Sequence, residues 1–134
     1  MTTTWKTVTN FAFSLPNRPG ELARFTQQLR DAGISMLGLW GDVAHNDKPR
    51  LSCVPESPET FRAFVKSAGI ETEEGRAFYL TDANRPGALT ESLETIGEAG
   101  INIDAIEAVS ADGQFGCFLW ADEKHWDGLE QLLT

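Results

Sequence analysis

The chain has 134 residues, of which 41% are hydrophobic, and a formal net charge of −9, which allows one ordinary core or two small ones and excludes a disordered composition. The acidic balance argues against a nucleic-acid partner, which needs a basic stripe, and against an anionic membrane surface. No apolar run approaches the roughly 18 residues of a membrane span, and the opening MTTTWKTVTN lacks the apolar centre of a secretion signal, so the default location is cytoplasmic.

Taken in chain order, TVTNFAFSL (7–15) is β-prone and leads into the loop Asn17-Arg18-Pro19-Gly20. A helix follows, with an apolar stripe at Leu22, Phe25 and Leu29, and it stops at Gly33, the residue type that takes a left-handed cap without strain. ISMLGLWGDV (34–43) and RLSCV (50–54) read as strands joined through a weak hairpin signal, AHNDKP. Ser57 caps the next helix, with Pro58 at its first position and Phe61, Phe64, Val65 and Ala68 as its stripe. IETEE (70–74) is available as a fourth strand.

The second half repeats this order. GRAFYLTD (75–82) is a strand, and Asn84-Arg85-Pro86-Gly87 precedes a helix with Leu89, Leu93 and Ile96 on one face, ending at Gly100. INIDAIEAVS (101–110) reads as a strand with an irregularity near Ala105. Asp112-Gly113 suits a two-residue turn with positive φ, FGCFLWA (115–121) is the next strand, and a last helix runs from about Asp122.

A shift of 67 residues superposes the two NRPG loops, the two AGI triplets, Leu22 on Leu89 and Phe11 on Phe78. Nine of the 24 positions from Phe11 to Ile34 match, against about one or two expected from composition. The reading is a duplicated unit, residues 1–74 and 75–134. Each half is β-α-β-β-α, and with a fourth strand it becomes an α+β, ferredoxin-like βαββαβ unit, an antiparallel sheet with both helices on one face. The second unit lacks its own C-terminal fourth strand. The segment TTWKT (3–7) lies opposite IETEE in the offset and can fill that edge, in the same chain or a neighbour; otherwise the edge stays open to another copy. Either route, and the small size of a single unit, favours a homodimer or higher oligomer.

Cys53 and Cys117 stand alone in apolar runs and read as small buried hydrophobes; no spacing supports a metal site or a cofactor. His45 and His125 read as surface residues. Trp40, Trp120 and Trp126 read as sheet-face, interface or core residues rather than a stacking platform. No nucleophile–base pair or phosphate loop is found, so no catalytic residue is expected.

The NRPG loop has two readings. It is a good turn and helix start, since proline fixes φ and glycine admits a close backbone approach. It also places helix N–H groups where a small carboxylate would sit, beside an asparagine amide able to bond both a carboxylate and an ammonium group. Arg18 and Arg85 read first as solvent-facing or surface-paired, and Asp104 as a solvated strand residue with ammonium contact as the lesser option.

NRPGELARFTQQLRDAGIS and NRPGALTESLETIGEAGINI, inside a βαββα order, resemble a tandem of ACT domains, the ligand-sensing modules of amino-acid metabolism. The resemblance covers almost the whole chain. It implies a non-catalytic regulatory protein that binds a small amino acid at module interfaces, through Asn84, Arg85, Pro86, Gly87, Ala88 and Leu89, with Asn17 and Gly20 as the first-half counterparts. It implies a second asparagine at Asn102, where the first half has Ser35. Serine-binding members often carry a histidine where this chain has Asp82 and Leu15; Asp82 either holds an ammonium group or caps the loop. The alternatives are a regulatory subunit of a biosynthetic enzyme or transcriptional regulator, and, less favoured, an enzyme.

Overall fold

A computed structural model describes residues 3–43 and 49–133. Its elements are β1 (Thr4–Ser14), α1 (Glu21–Asp31), β2 (Met36–Val43), β3 (Pro49–Pro55), α2 (Pro58–Ala68), β4 (Glu73–Ala83), α3 (Thr90–Glu98), β5 (Ala105–Ala111), β6 (Gln114–Trp120), a 3-10 turn at Glu123–His125 and α4 (Trp126–Leu132). His45 and the AHNDKP turn lie outside the described residues, apart from the backbone of Pro49. The fold is α+β with antiparallel strand pairing, as expected, and falls into two ferredoxin-like units: residues 9–75, and residues 76–134 together with 1–8.

In the 9–75 unit β3 is flanked by β1, through Phe11↔Cys53 and Phe13↔Leu51, and by β2, through Leu39↔Cys53. Period-2 alternation in β1 turns Phe11 and Phe13 to one face. They meet Phe25 and Leu29 of α1 and Phe61 and Val65 of α2 in one buried cluster. It is an aromatic core, with ring centroids 4.8 Å apart for Phe11–Phe61 and 5.0 Å for Phe13–Phe25. Leu22, expected on this stripe, is instead 50% exposed: it stands in the first turn of α1, and the buried contacts of the helix are made by Phe25 and Leu29. The α2 cap is as the sequence requires: Ser57 Oγ accepts the Thr60 N–H at 3.4 Å, with Pro58 at the first position.

In the other unit the strand order is β1-β4-β6-β5. β6 pairs with β4 through Leu80↔Cys117 and with β5 through Ala108↔Cys117. The helix face is mainly aliphatic: Leu80, Ile96, Ile101, Leu119 and Leu129 surround Phe78. The edge left without a C-terminal strand is taken by the opening of β1 in the same chain, so that Trp5 joins this core. Arg76 lies 4.9 Å over the Trp126 ring and bonds Glu130 at 2.8 Å, while the Trp126 indole N–H donates to the Ala121 carbonyl.

Two sequence expectations change. IETEE is not a separate strand: Glu73 and Glu74 begin β4, which continues through Gly75 into the expected GRAFYLTD strand. Ile101 to Asp104 are not strand either; β5 starts at Ala105. The cause is the same in both places. After the left-handed glycines Gly33, Gly69 and Gly100 (φ +71°, +70° and +77°), the next isoleucine N–H turns back to a carbonyl five residues earlier: Ile34 to Leu29, Ile70 to Val65, Ile101 to Ile96. These residues terminate helices and plug the core, so their hydrophobicity is not a strand signal. By contrast Asp112 (φ 52°) and Gly113 (φ 76°) make the expected two-residue hairpin. Among the described residues no helix is long and apolar enough to cross a membrane.

Candidate functional site

The two NRPG loops enter their helices differently. In the 9–75 unit Gly20, at φ +88°, is the residue before α1, and the Arg24 N–H already donates to its carbonyl at 2.9 Å. Arg18 is paired with Glu21 at 2.8 Å across this first turn. Both loops share one turn bond, Glu21 N–H to the Arg18 carbonyl and Ala88 N–H to the Arg85 carbonyl, but in the second unit the Thr90 N–H also turns back to the Gly87 carbonyl and α3 begins only at Thr90. The loop therefore opens the helix directly in one copy and through an intervening turn in the other.

The second loop is anchored from both sides. The Asn84 N–H donates to the Gly113 carbonyl at 2.9 Å, which ties the loop to the β5–β6 hairpin. Asp82, at the end of β4, is only 3% exposed. Its Oδ2 accepts the Thr3 hydroxyl at 2.8 Å and its Oδ1 accepts the Ala83 N–H at 2.7 Å. The Thr3 bond first, then the Ala83 N–H, with the Arg85 charge adding, hold its carboxyl below the usual aspartate range against the opposing effect of burial. Arg85 approaches Oδ2 at 3.7 Å. Asp82 thus bonds the opening of β1 and its neighbouring backbone, and meets the loop only at Arg85.

Asn84, Arg85, Gly87, Ala88 and Leu89 together line a cleft of about 360 Å³. Its other wall is Thr90, Ala108, Val109, Ser110 and Phe115. The expected residues Pro86, Asp82 and Asn102 do not line it. Asn102 follows α3 and donates to Asp104 at 3.2 Å, while the Asp104 N–H donates to the Trp120 carbonyl. Asn84 is joined to the Gly113 end of the hairpin and Asp104 to Trp120, so the whole of β6, roughly 20 Å of strand, separates the two asparagines. Within one chain they do not form one site. The β5 residues of the cleft were not singled out by sequence reasoning; the Asp112-Gly113 turn was the available signal, since it folds β5 back beside the loop.

β5 is the edge strand of this unit, and each of its seven residues is exposed, Val109 at 73% and Ile106 at 44%. In the 9–75 unit Asn17 and Gly20 are exposed. Cys53 and Cys117 are buried, and burial pushes their thiols up to about 12 and about 11. His125 is half-buried at the end of the 3-10 turn. Among the described residues no group of three or more His, Cys, Asp or Glu side chains is placed to hold a metal ion.

No protein-family model and no curated protein matches the sequence. Solved structures do resemble it in fold. A protein from Bacteroides thetaiotaomicron superposes with a TM-score of 0.81 at 17% identity, covering 96% of this chain and 88% of that one. The regulatory subunit of aspartate kinase from Thermus thermophilus, in its ligand-free form, gives 0.63 at 12% identity over 98% of this chain and 93% of that one. The corresponding subunit from Thermus flavus gives 0.58 at 12% identity over 98% and 94%. At these identities the likeness is one of fold, shared along almost the full length of each chain.

Proposed function

We propose that the protein is a cytoplasmic regulatory module of the tandem ACT type, without catalysis, that binds a small amino acid at the Asn84 loop and works as a homodimer or higher oligomer. The observation that carries this reading is the cleft formed where that loop meets β5. A carboxylate there meets the backbone of a glycine loop at the approach to α3, and the Asn84 amide offers both donors and an acceptor to a zwitterion.

The exposed edge of β5 fits the oligomer. An unpaired strand edge is a template for pairing. A second copy added antiparallel along β5 brings its Asp104 end, and hence its Asn102, beside the first copy's hairpin and Asn84. The two asparagines that stand apart in one chain then face one ligand across a two-fold axis.

The output of such a module is another protein. The Thermus thermophilus regulatory subunit, matched over 93% of its own length, favours a separate subunit that reports to a biosynthetic enzyme. A panel of free amino acids, including glycine, serine and the branched-chain set, is expected to raise the melting temperature for at least one member by mass action. Asn84→Ala abolishes the shift and Asn17→Ala preserves it if the second loop is the site. No shift with any amino acid at millimolar concentration overturns the reading.

A further inference from the structure

Arg85 also lines a second cleft, of about 340 Å³, between the opening of β1 and the helices α3 and α4. Trp5, Ile96, Leu132 and Leu133 give it apolar walls, and Glu91 is its acidic residue. None of the amino-acid-binding residues inferred above, other than Arg85, contributes to it.

The chemistry turns on how Arg85 is partnered. Its counterpart Arg18 is held by Glu21 at 2.8 Å. The 67-residue offset puts Ala88 where Glu21 stands, which removes that partner. The ion-pair contact of Arg85, with Asp82, is 3.7 Å long, beyond the roughly 2.7–2.9 Å of a charge-assisted bond. Both Asp82 oxygens already accept hydrogen bonds, from Thr3 and Ala83. A guanidinium presents a planar fork of donors suited to a carboxylate. Glu91 on the same lining already offsets the Arg85 charge, so each negative charge a ligand adds beyond the one on Arg85 is disfavoured, and a dianion more than a monoanion.

We propose that this second cleft binds an organic monocarboxylate with an apolar tail, its carboxylate on Arg85 and its tail against Trp5, Ile96 and Leu132. The two clefts share Arg85 and no other lining residue, and this site does not require the loop cleft to be occupied.

Isovalerate and phenylacetate are the probes, with succinate as the dianion control, in a ¹H–¹⁵N NMR titration of the full chain. At least one monocarboxylate is expected to move the Trp5 indole resonance at about 10 mM or below, with succinate roughly tenfold weaker. Arg85→Gln lowers affinity by about tenfold or more. Ser92→Phe, which fills this cleft alone, does the same, while Val109→Lys, at the loop cleft alone, leaves binding within about twofold. Dispersed spectra identify the variants that fold. Silence of the Trp5 resonance with both monocarboxylates overturns the proposal, as does succinate binding equally well. So does binding that survives Ser92→Phe but is lost in Val109→Lys. None of these outcomes depends on the amino-acid panel, so the two proposals fail separately.

Discussion

In residues 9–75 the NRPG loop runs straight into α1 and its arginine is engaged by Glu21; in residues 76–134 a turn intervenes before α3, and Arg85 has Asp82 at 3.7 Å as its acidic neighbour. The cores differ in parallel, four buried phenylalanines in one and a mainly aliphatic cluster in the other. Proline and glycine hold the course of the loop in both copies, while one position two residues before the α3 start, alanine instead of glutamate, decides whether the arginine is tied down. The same four-residue loop thus stands at a helix start with a paired arginine in one unit and contributes to the wall of two clefts in the other.

The strongest way to break the comparison is in the cores. Phe61→Ala is expected to cost about 3–5 kcal/mol in urea unfolding, because a fully buried ring in contact with Phe11 and Phe64 leaves a cavity. Leu129→Ala in the other unit costs about 2–5 kcal/mol. If ring–ring contacts contribute as they do elsewhere, by about 0.5–1.5 kcal/mol, Phe61→Ala is the larger; equal losses would show that the aromatic cluster acts only through its buried area.

Acid sensitivity is the next distinction, because Asp82 has Leu15 as its counterpart. A carboxyl whose folded pKa lies below its unfolded value stabilises the fold above that unfolded value, about 3.9. The contribution drains away as pH falls through the folded value. Asp82→Asn is therefore less stable than the native chain at neutral pH and shows a flatter acid limb. Urea midpoints between neutral and strongly acidic pH measure this, and parallel curves for the two proteins would contradict the assigned role of Thr3 and Ala83. The smallest effect is at the first loop: Glu21→Ala releases Arg18 at a cost of only about 0.2–0.5 kcal/mol, and added salt removes the difference.

Much of this was legible. The repeat offset located both loops, all four main helices and the hairpin at Asp112-Gly113, since these rest on local chemistry: apolar spacing, a serine cap, glycines that accept positive φ. The exchange of Glu21 for Ala88 was also there to be read. The merging of IETEE with GRAFYLTD was not, because Ile70 and Ile101 look like strand residues until the helix-terminating hydrogen bonds to Val65 and Ile96 are seen. Nor could pattern alone separate Asn102 from Asn84: the residues share one unit, but only the course of β6 reveals the distance between them. Asp82 stands beside the loop by sequence alone, whereas its partner Thr3 is 79 residues away in sequence, and no local rule reaches that far.

The opening strand carries one more implication. Its first residues, Thr4–Val8, complete the sheet of residues 76–134, whereas Thr9–Ser14 belong to the 9–75 unit. Removal of Thr4–Val8 would therefore injure the sheet of residues 76–134 rather than that of residues 9–75. A cut between Gly75 and Arg76 would leave one piece with an edge strand that the other needs. The unit of residues 76–134 therefore depends on a segment placed ahead of the other unit in the chain, so the two cannot be parted by one cut without loss to it.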